Sequence, residues 1–153
     1  MHDIKVDQSG RTDQLTVDTV LAFSDAIQAA ILIPKAVKRA CYHHLKAQGV
    51  RKHRIGVKLL TAGLVLLLQD YIRTLEMITI DREYTGGAEG DIKGELLQHL
   101  RQQVPNLHSD QIAFQEIGKK SAAHKLALET YRGEREPKRR ISVEELLEVL
   151  GWE

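Results

Sequence analysis

The sequence predicts an α/β domain built on a mixed sheet, and three observations support that class. Short β-patterned runs fill the first 33 residues, after which helical and strand periodicities alternate to the end, as expected for helices packed on a sheet. The run Met77 to Tyr84 follows a long apolar helix directly, and its alternation sets Ile78 and Ile80 on one face and Thr79, Asp81 and Glu83 on the other. With 153 residues and one cysteine, Cys41, the chain has the length of one domain and no disulfide staple. It must stand on a buried core, and a chain of this size buries about two thirds of its unfolded surface.

Taken in order, Ile4 and Val6 alternate with Lys5 and Asp7 from Asp3 to Ser9, and Ser9-Gly10 closes a first short strand. Thr19 to Ser24 and Ala29 to Ile33 are β-branched and apolar runs, read as the second and third strands of a meander with a hairpin over Asp25 to Gln28. Pro34 suits a first helical position and Gly49 an exit, which places a first helix from about Pro34 to Gln48. A basic loop, Val50 to Arg54, leads to a second helix from about Ile55 to Leu75. Between Leu59 and Leu68 that helix is apolar nearly all round, so it is covered on most sides. Lys58 and Gln69-Asp70 bound the apolar run well short of the roughly 20 residues a membrane span needs.

The fourth strand, Met77 to Tyr84, gives way to Gly86-Gly87-Ala88-Glu89-Gly90, which has neither the lysine and hydroxyl of a P-loop nor the spacing of a dinucleotide fingerprint and reads as a connection. A third helix follows from Asp91 to Val104, striped by Ile92, Leu96, Leu97, Leu100 and Val104 and ended by Pro105-Asn106. Gln111 to Ile117 is a fifth strand. Ser121 caps a fourth helix that Gly133 stops. Residues 134–140 are charged, include Pro137 and read as a linker, and the capping box Ser142-Val143-Glu144-Glu145 opens a short amphipathic helix within 141–153. The expected organisation is a domain over 1–133, a linker over 134–140 and a terminal helix.

The formal charge of +1 conceals an asymmetry. Between Asp25 and Asp70 no acid occurs, while Lys35, Lys38, Arg39, Lys46, Arg51, Lys52, Arg54 and Lys58 make the interval +8. Such polarity offers a phosphate-binding face, or else charges that pair with the acidic remainder across the fold. The N-terminus lacks the basic start and apolar core of a secretory signal, and a lone Cys41 between Ala40 and Tyr42 suits packing in a reducing, cytoplasmic compartment. On the fourth strand, two carboxylates on one face suit a divalent cation, whereas Arg82 and nearby lysines would suffice to neutralise a strand end emerging into solvent.

Three stretches carry a family resemblance: Val6-Asp7-Gln8-Ser9-Gly10, Ile80-Asp81-Arg82-Glu83-Tyr84, and Lys119 to Ala127 with its Lys120-Ser121 turn. With these in this order, the chain resembles the ribonuclease-H-like superfamily over about Ile4 to Arg132, most closely its resolvase-like and uncharacterised branches. The resemblance implies a mixed five-stranded sheet with flanking helices and the first and fourth strands adjacent at its centre. It also implies Mg²⁺ or Mn²⁺, as many as two ions, with Asp7 as the bridging ligand, Asp81 or Glu83 as the second and His124 or Glu129 as the third. Lys119 or Lys120 would lie near the scissile phosphate. The chain departs from the family's pattern where an acid is usual on the last helix, at Ala127-Leu128. The implied activity is metal-dependent phosphodiester hydrolysis in DNA or RNA, with Arg51, Lys52, Arg54, Lys138, Arg139 and Arg140 as phosphate contacts. A non-catalytic module of the same fold, dimerising through the second or the terminal helix, is the alternative.

Overall fold

The computed structural model describes residues 1–82 and 88–151. Among them, six strands form one mixed sheet: β1 His2–Ser9, β2 Thr19–Ser24, β3 Gln28–Ile33, β4 Leu75–Asp81, β5 Ile112–Gln115 and β6 Arg139–Arg140. Five α-helices flank it: α1 Lys35–Ala47, α2 Lys52–Leu68, α3 Ala88–Leu100, α4 Ala122–Tyr131 and α5 Val143–Val149. The strands lie in the order β5-β4-β1-β2-β3-β6. β1, β2 and β3 form the expected antiparallel meander, and β4 runs parallel to β1, with Val6 opposite Ile80.

The two faces of the sheet are covered differently. Ile4, Val6, Leu21, Phe23, Ile31, Ile33, Ile78 and Ile80 join the leucines of α2 in the main core, while Val20, Ala22, Ala30 and Leu32 form a smaller cluster with Leu126 and Ala127 of α4. β2 and β3 are therefore buried on both sides, which is why they read as unbroken apolar runs instead of alternating ones. Gly63 sets how closely α2 approaches. A Cβ there would meet Leu21 Cδ1 at 2.7 Å and Ile33 Cδ1 at 3.1 Å, so any larger residue would have to push those two side-chain ends aside for the helix to settle as closely on β2 and β3.

Several expectations need correction. The sheet has six strands among the described residues, not five, and the sixth lies inside the segment read as a linker. Arg139 and Arg140 pair with Ile31 and Leu32, and Ile141 N donates to Leu32 O. A backbone ladder needs no apolar side chain, so the exposed edge of β3 is closed by a stretch whose composition hides it. The terminal helix is likewise part of the domain, since Ile141 and Leu146 are buried in the main core. α2 ends at Leu68, and a 3₁₀ turn over Ile72–Thr74 delivers the chain to β4, which begins at Leu75. Ile72 and Leu75 keep helical spacing in the sequence but are buried from a turn and a strand. Pro34 is the residue before α1, at ψ 146°, and not its first turn. Glu83, Tyr84 and Gly86-Gly87 lie outside the described residues, while Ala88-Glu89-Gly90, read as part of the same connection, form the first turn of α3, which starts at Ala88 and not Asp91.

Candidate active site

Asp7 stands near the end of β1 and Asp81 is the last residue of β4. Because these strands are parallel neighbours with Val6 opposite Ile80, the two carboxylates arrive side by side at one end of the sheet, on the face away from α2. α4 covers β1 to β3 on that face. Small residues make this approach close: Ala22 and Ala30 from the strands meet Ala127 and Leu126 from the helix. Ser121 caps α4 by accepting a hydrogen bond from His124 N, which fixes the first turn and aims His124 at β1. His124 Nδ1 lies 2.9 Å from Asp7 Oδ2.

Asp7 is 4% exposed. Burial pushes its pKa above the usual carboxylate value, and the nearby negative charge of Asp81 pushes it the same way. Against these act the backbone N–H of Gln8, 2.8 Å from Oδ1, and the His124 ring. Asp81 is half-buried, and its Oδ1 accepts a hydrogen bond from Ile117 N at 2.7 Å, which ties the chain after β5 to the end of β4.

Other expected members fall elsewhere. Arg82 reaches Glu89 at 2.6 Å and the carbonyl of Phe114 at 3.2 Å, so it turns away from Asp7 and Asp81. Glu129 lines a separate shallow cleft with Ser24, Lys125 and Arg135, in which neither Asp7 nor Asp81 takes part. Lys119 and Lys120 are exposed on the turn before α4, one turn of chain from His124. Among the described residues, no three His, Cys, Asp or Glu side chains are gathered as a set that could hold a metal ion, and Glu83 lies outside them.

The basic residues divide into two groups. Arg51 and Lys52 are exposed at the start of α2, and Arg54 beside them pairs with Asp91 at 3.1 Å. Lys138 lies 3.8 Å from Asp70 with its ammonium 4.4 Å from the centre of the Tyr71 ring, Arg139 pairs with Glu145, and Arg140 approaches Glu136 at 4.0 Å. The 138–140 group is thus engaged within the fold.

Two buried groups had no signal in the sequence. Lys38 is fully buried, and its ammonium donates to Arg11 O at 3.0 Å, Gln14 O at 2.6 Å and Thr19 Oγ1 at 2.9 Å. Burial lowers its pKa to about 8 despite Asp18 and Asp13 nearby. It holds the loop 10–18 that leaves the strand of Asp7, and it is lost from the surface charge. Gln8 Oε1 is buried without a hydrogen-bond partner, beside a cavity of about 10 Å³ bounded by Leu21, Leu60 and Leu64, room for about one water. Helical spacing sets Val37, Ala40, Cys41 and His44 or Leu45 inward on α1 with its lysines projecting elsewhere; Cys41 and Leu45 are buried, but Ala40 is exposed and Lys38 takes an inward place. Cys41 is also fully buried, and its thiol is pushed up to about 11, which leaves little thiolate for chemistry.

No helix among the described residues is long and apolar enough to cross a membrane. Compared with protein-family models, with curated proteins and with solved structures, the chain matches none.

Proposed function

We propose that this chain is a divalent-cation-dependent phosphodiesterase of the ribonuclease-H-like, resolvase-like type that acts on nucleic acid. One observation carries the reading: a nearly inaccessible carboxylate, Asp7, is held beside a second, Asp81, in a place that burial and like charge both make unfavourable for it. An arrangement that raises the energy of an ionised group calls for a compensating cation. The run β3-β2-β1-β4-β5 within the sheet, with the two acids on the paired central strands and a histidine delivered by the last long helix, supports the family reading.

The donor set fits a hard cation of the magnesium type, which takes oxygen ligands and needs only one or two carboxylates from the protein. Asp7 and Asp81 would hold Mg²⁺ or Mn²⁺, with Glu83 as a further candidate. Such an ion, when bound, polarises the phosphodiester and supplies an acidified water. The protein's own groups do the rest. Asp7 fixes the His124 ring through Nδ1, which leaves Nε2 to accept or return a proton at the attacking water. Lys120, at the mouth of α4 where the helix dipole favours anions, meets the phosphate. The test is cleavage of labelled single strands, duplexes, hybrids and four-way junctions with Mg²⁺ or Mn²⁺, with Asp7→Asn in parallel. Metal-dependent cleavage lost in the variant supports the reading, and no cleavage of any substrate defeats it.

A second reading, a non-catalytic module of the same fold, is favoured by the absence of a gathered three-ligand set among the described residues. It requires that neither metal raises the melting temperature and that light scattering finds a dimer.

A further inference from the structure

On the α2 side of the sheet, the end of α2, the end of α3 with the turn after it, β6 and α5 bound a cavity of about 310 Å³. Ile141 and Leu146 fasten α5 and its approach to the main core, and Arg139 pairs with Glu145 in the cavity wall. Val65, Leu66 and Leu100, all buried, give the cavity an apolar lining, which Val149 completes. α2 keeps this cavity apart from the two acids. Thr12 Oγ1 donates to Gly56 O near the start of the helix, beside the loop that follows the Asp7 strand, whereas Val65 lies about 13 Å further along the axis.

Five polar side chains share the lining: Gln69, His99, Gln102, Gln103 and Glu148. Gln69 and His99 are half-buried and the other three are exposed, and among the described residues none of the five side chains makes a hydrogen bond or an ion pair. Their chemistry is mixed. A glutamine amide presents a donor and an acceptor in one plane, and a neutral imidazole carries one of each, whereas the carboxylate of Glu148 only accepts. The charges are unequal as well. Arg139 is the one guanidinium or ammonium in the lining and is taken by Glu145, which leaves Glu148 unneutralised.

We propose that this cavity binds a small uncharged heterocycle of the nucleobase class, one that bears an exocyclic amine. An anion is repelled by Glu148 and finds no free guanidinium or ammonium in the lining. A simple amine only donates, so it leaves the amide N–H groups without acceptors. A flat ring whose edge alternates donors and acceptors pairs with glutamine amides two bonds at a time, and its exocyclic amine gives Glu148 the donor that a carboxylate needs. The ring face rests on Val65, Leu66 and Leu100. Size limits the ligand further: 310 Å³ stands at the low end of the roughly 300–1,000 Å³ of small-molecule sites, room for one base or nucleoside. The cavity shares no residue with Asp7, His124 and Asp81, so its ligand is independent of the phosphodiesterase reading.

The test is an NMR titration of the isotope-labelled full chain with adenosine, cytidine, uridine, AMP, ribose and spermidine, read on the side-chain amide signals of Gln69, Gln102 and Gln103. Wild type is compared with Asp7→Asn, Gln69→Leu and Glu148→Gln. Adenosine or cytidine is expected to shift those signals saturably, with a dissociation constant below about 10 mM. Uridine, which lacks the amine, and AMP, which adds negative charge, should bind at least about tenfold more weakly. Gln69→Leu should weaken the preferred nucleoside by about tenfold or more, Glu148→Gln should narrow its advantage over uridine, and Asp7→Asn should bind as wild type does. Circular dichroism checks folding, and Gln103→Ala, at an exposed position, takes the place of Gln69→Leu if that variant does not fold. No saturable shift with any nucleoside, AMP binding more tightly than adenosine, or ribose or spermidine binding as tightly as the nucleosides overturns the proposal. So does binding that is lost in Asp7→Asn and kept in Gln69→Leu, which would put the ligand at the two acids.

Discussion

The two faces of the sheet are built on opposite principles. Under α2 the packing is tight and almost wholly apolar: Leu59, Leu64, Leu67 and Leu68 are essentially inaccessible, and Gly63 brings the helix close to Leu21 and Ile33. Under α4 the cluster is small, and beside it Asp7, His124 and Asp81 bring charge into a half-covered place. The difference teaches where this molecule keeps its stability and where it spends it. Burial of leucine surface stabilises at roughly 25 cal/mol per Å², while an inadequately partnered carboxylate costs free energy wherever it is placed.

The sharpest way to break that contrast is to empty the α2 face. Leu64→Ala, at a fully buried position, should cost about 2–5 kcal/mol by urea unfolding, and a loss below about 1 kcal/mol would show that the core is looser than described. On the other face Asp7→Asn should go the opposite way. Removing the charge while keeping an oxygen for Gln8 N should leave the metal-free protein as stable or raise it by about 1 kcal/mol, and should abolish any rise in melting temperature that Mn²⁺ gives the wild type. A clear loss of stability in Asp7→Asn would mean that the carboxylate is a structural tie.

Lys38 sharpens the comparison through pH. Its pKa falls from 10.5 in the unfolded chain to about 8 in the fold, so burying the ammonium costs stability fully below about pH 8, and the cost is relieved as pH rises towards 10.5. Cys41 acts the other way, because its thiol ionises near 9 when unfolded and at about 11 when folded, which favours the unfolded state above pH 9. Between about pH 8 and 9 stability should therefore rise, and in Cys41→Ala the rise should continue past pH 9. A flat or falling profile in that variant would place Lys38 in a better-solvated site. The smallest effect belongs to the surface: Arg140→Ala, whose pair with Glu136 is 4.0 Å apart and exposed, should change stability by less than about 0.5 kcal/mol.

The sequence was informative where a side chain reports its own local geometry. Ser121 and the Ser142-Glu145 box mark helix starts that the structure reproduces, and the β2 run Thr19 to Ser24 has the expected bounds. The adjacency of Asp7 and Asp81 could be read only through a family resemblance, because parallel pairing of β1 with β4 leaves no local signature. β6 was hidden because backbone pairing is indifferent to the charges of Arg139 and Arg140. The role of Lys38 was hidden for another reason: the oxygens that accept from it are two loop carbonyls and a threonine hydroxyl, none recognisable as a partner before the fold brings them together.

The parallel pairing of β1 with β4 also bears on how the molecule comes into being. β1, β2 and β3 can zip together as a meander of near neighbours, but β1 meets β4 only after roughly 70 residues of intervening chain have been looped back through α1 and α2. A chain emerging from the ribosome can complete its first hairpins long before it has anything to set beside Asp7. The two acids are brought together by the slow, non-local closure of the sheet, so the place that carries their mutual repulsion comes into existence only when most of the leucine core is available to hold it shut.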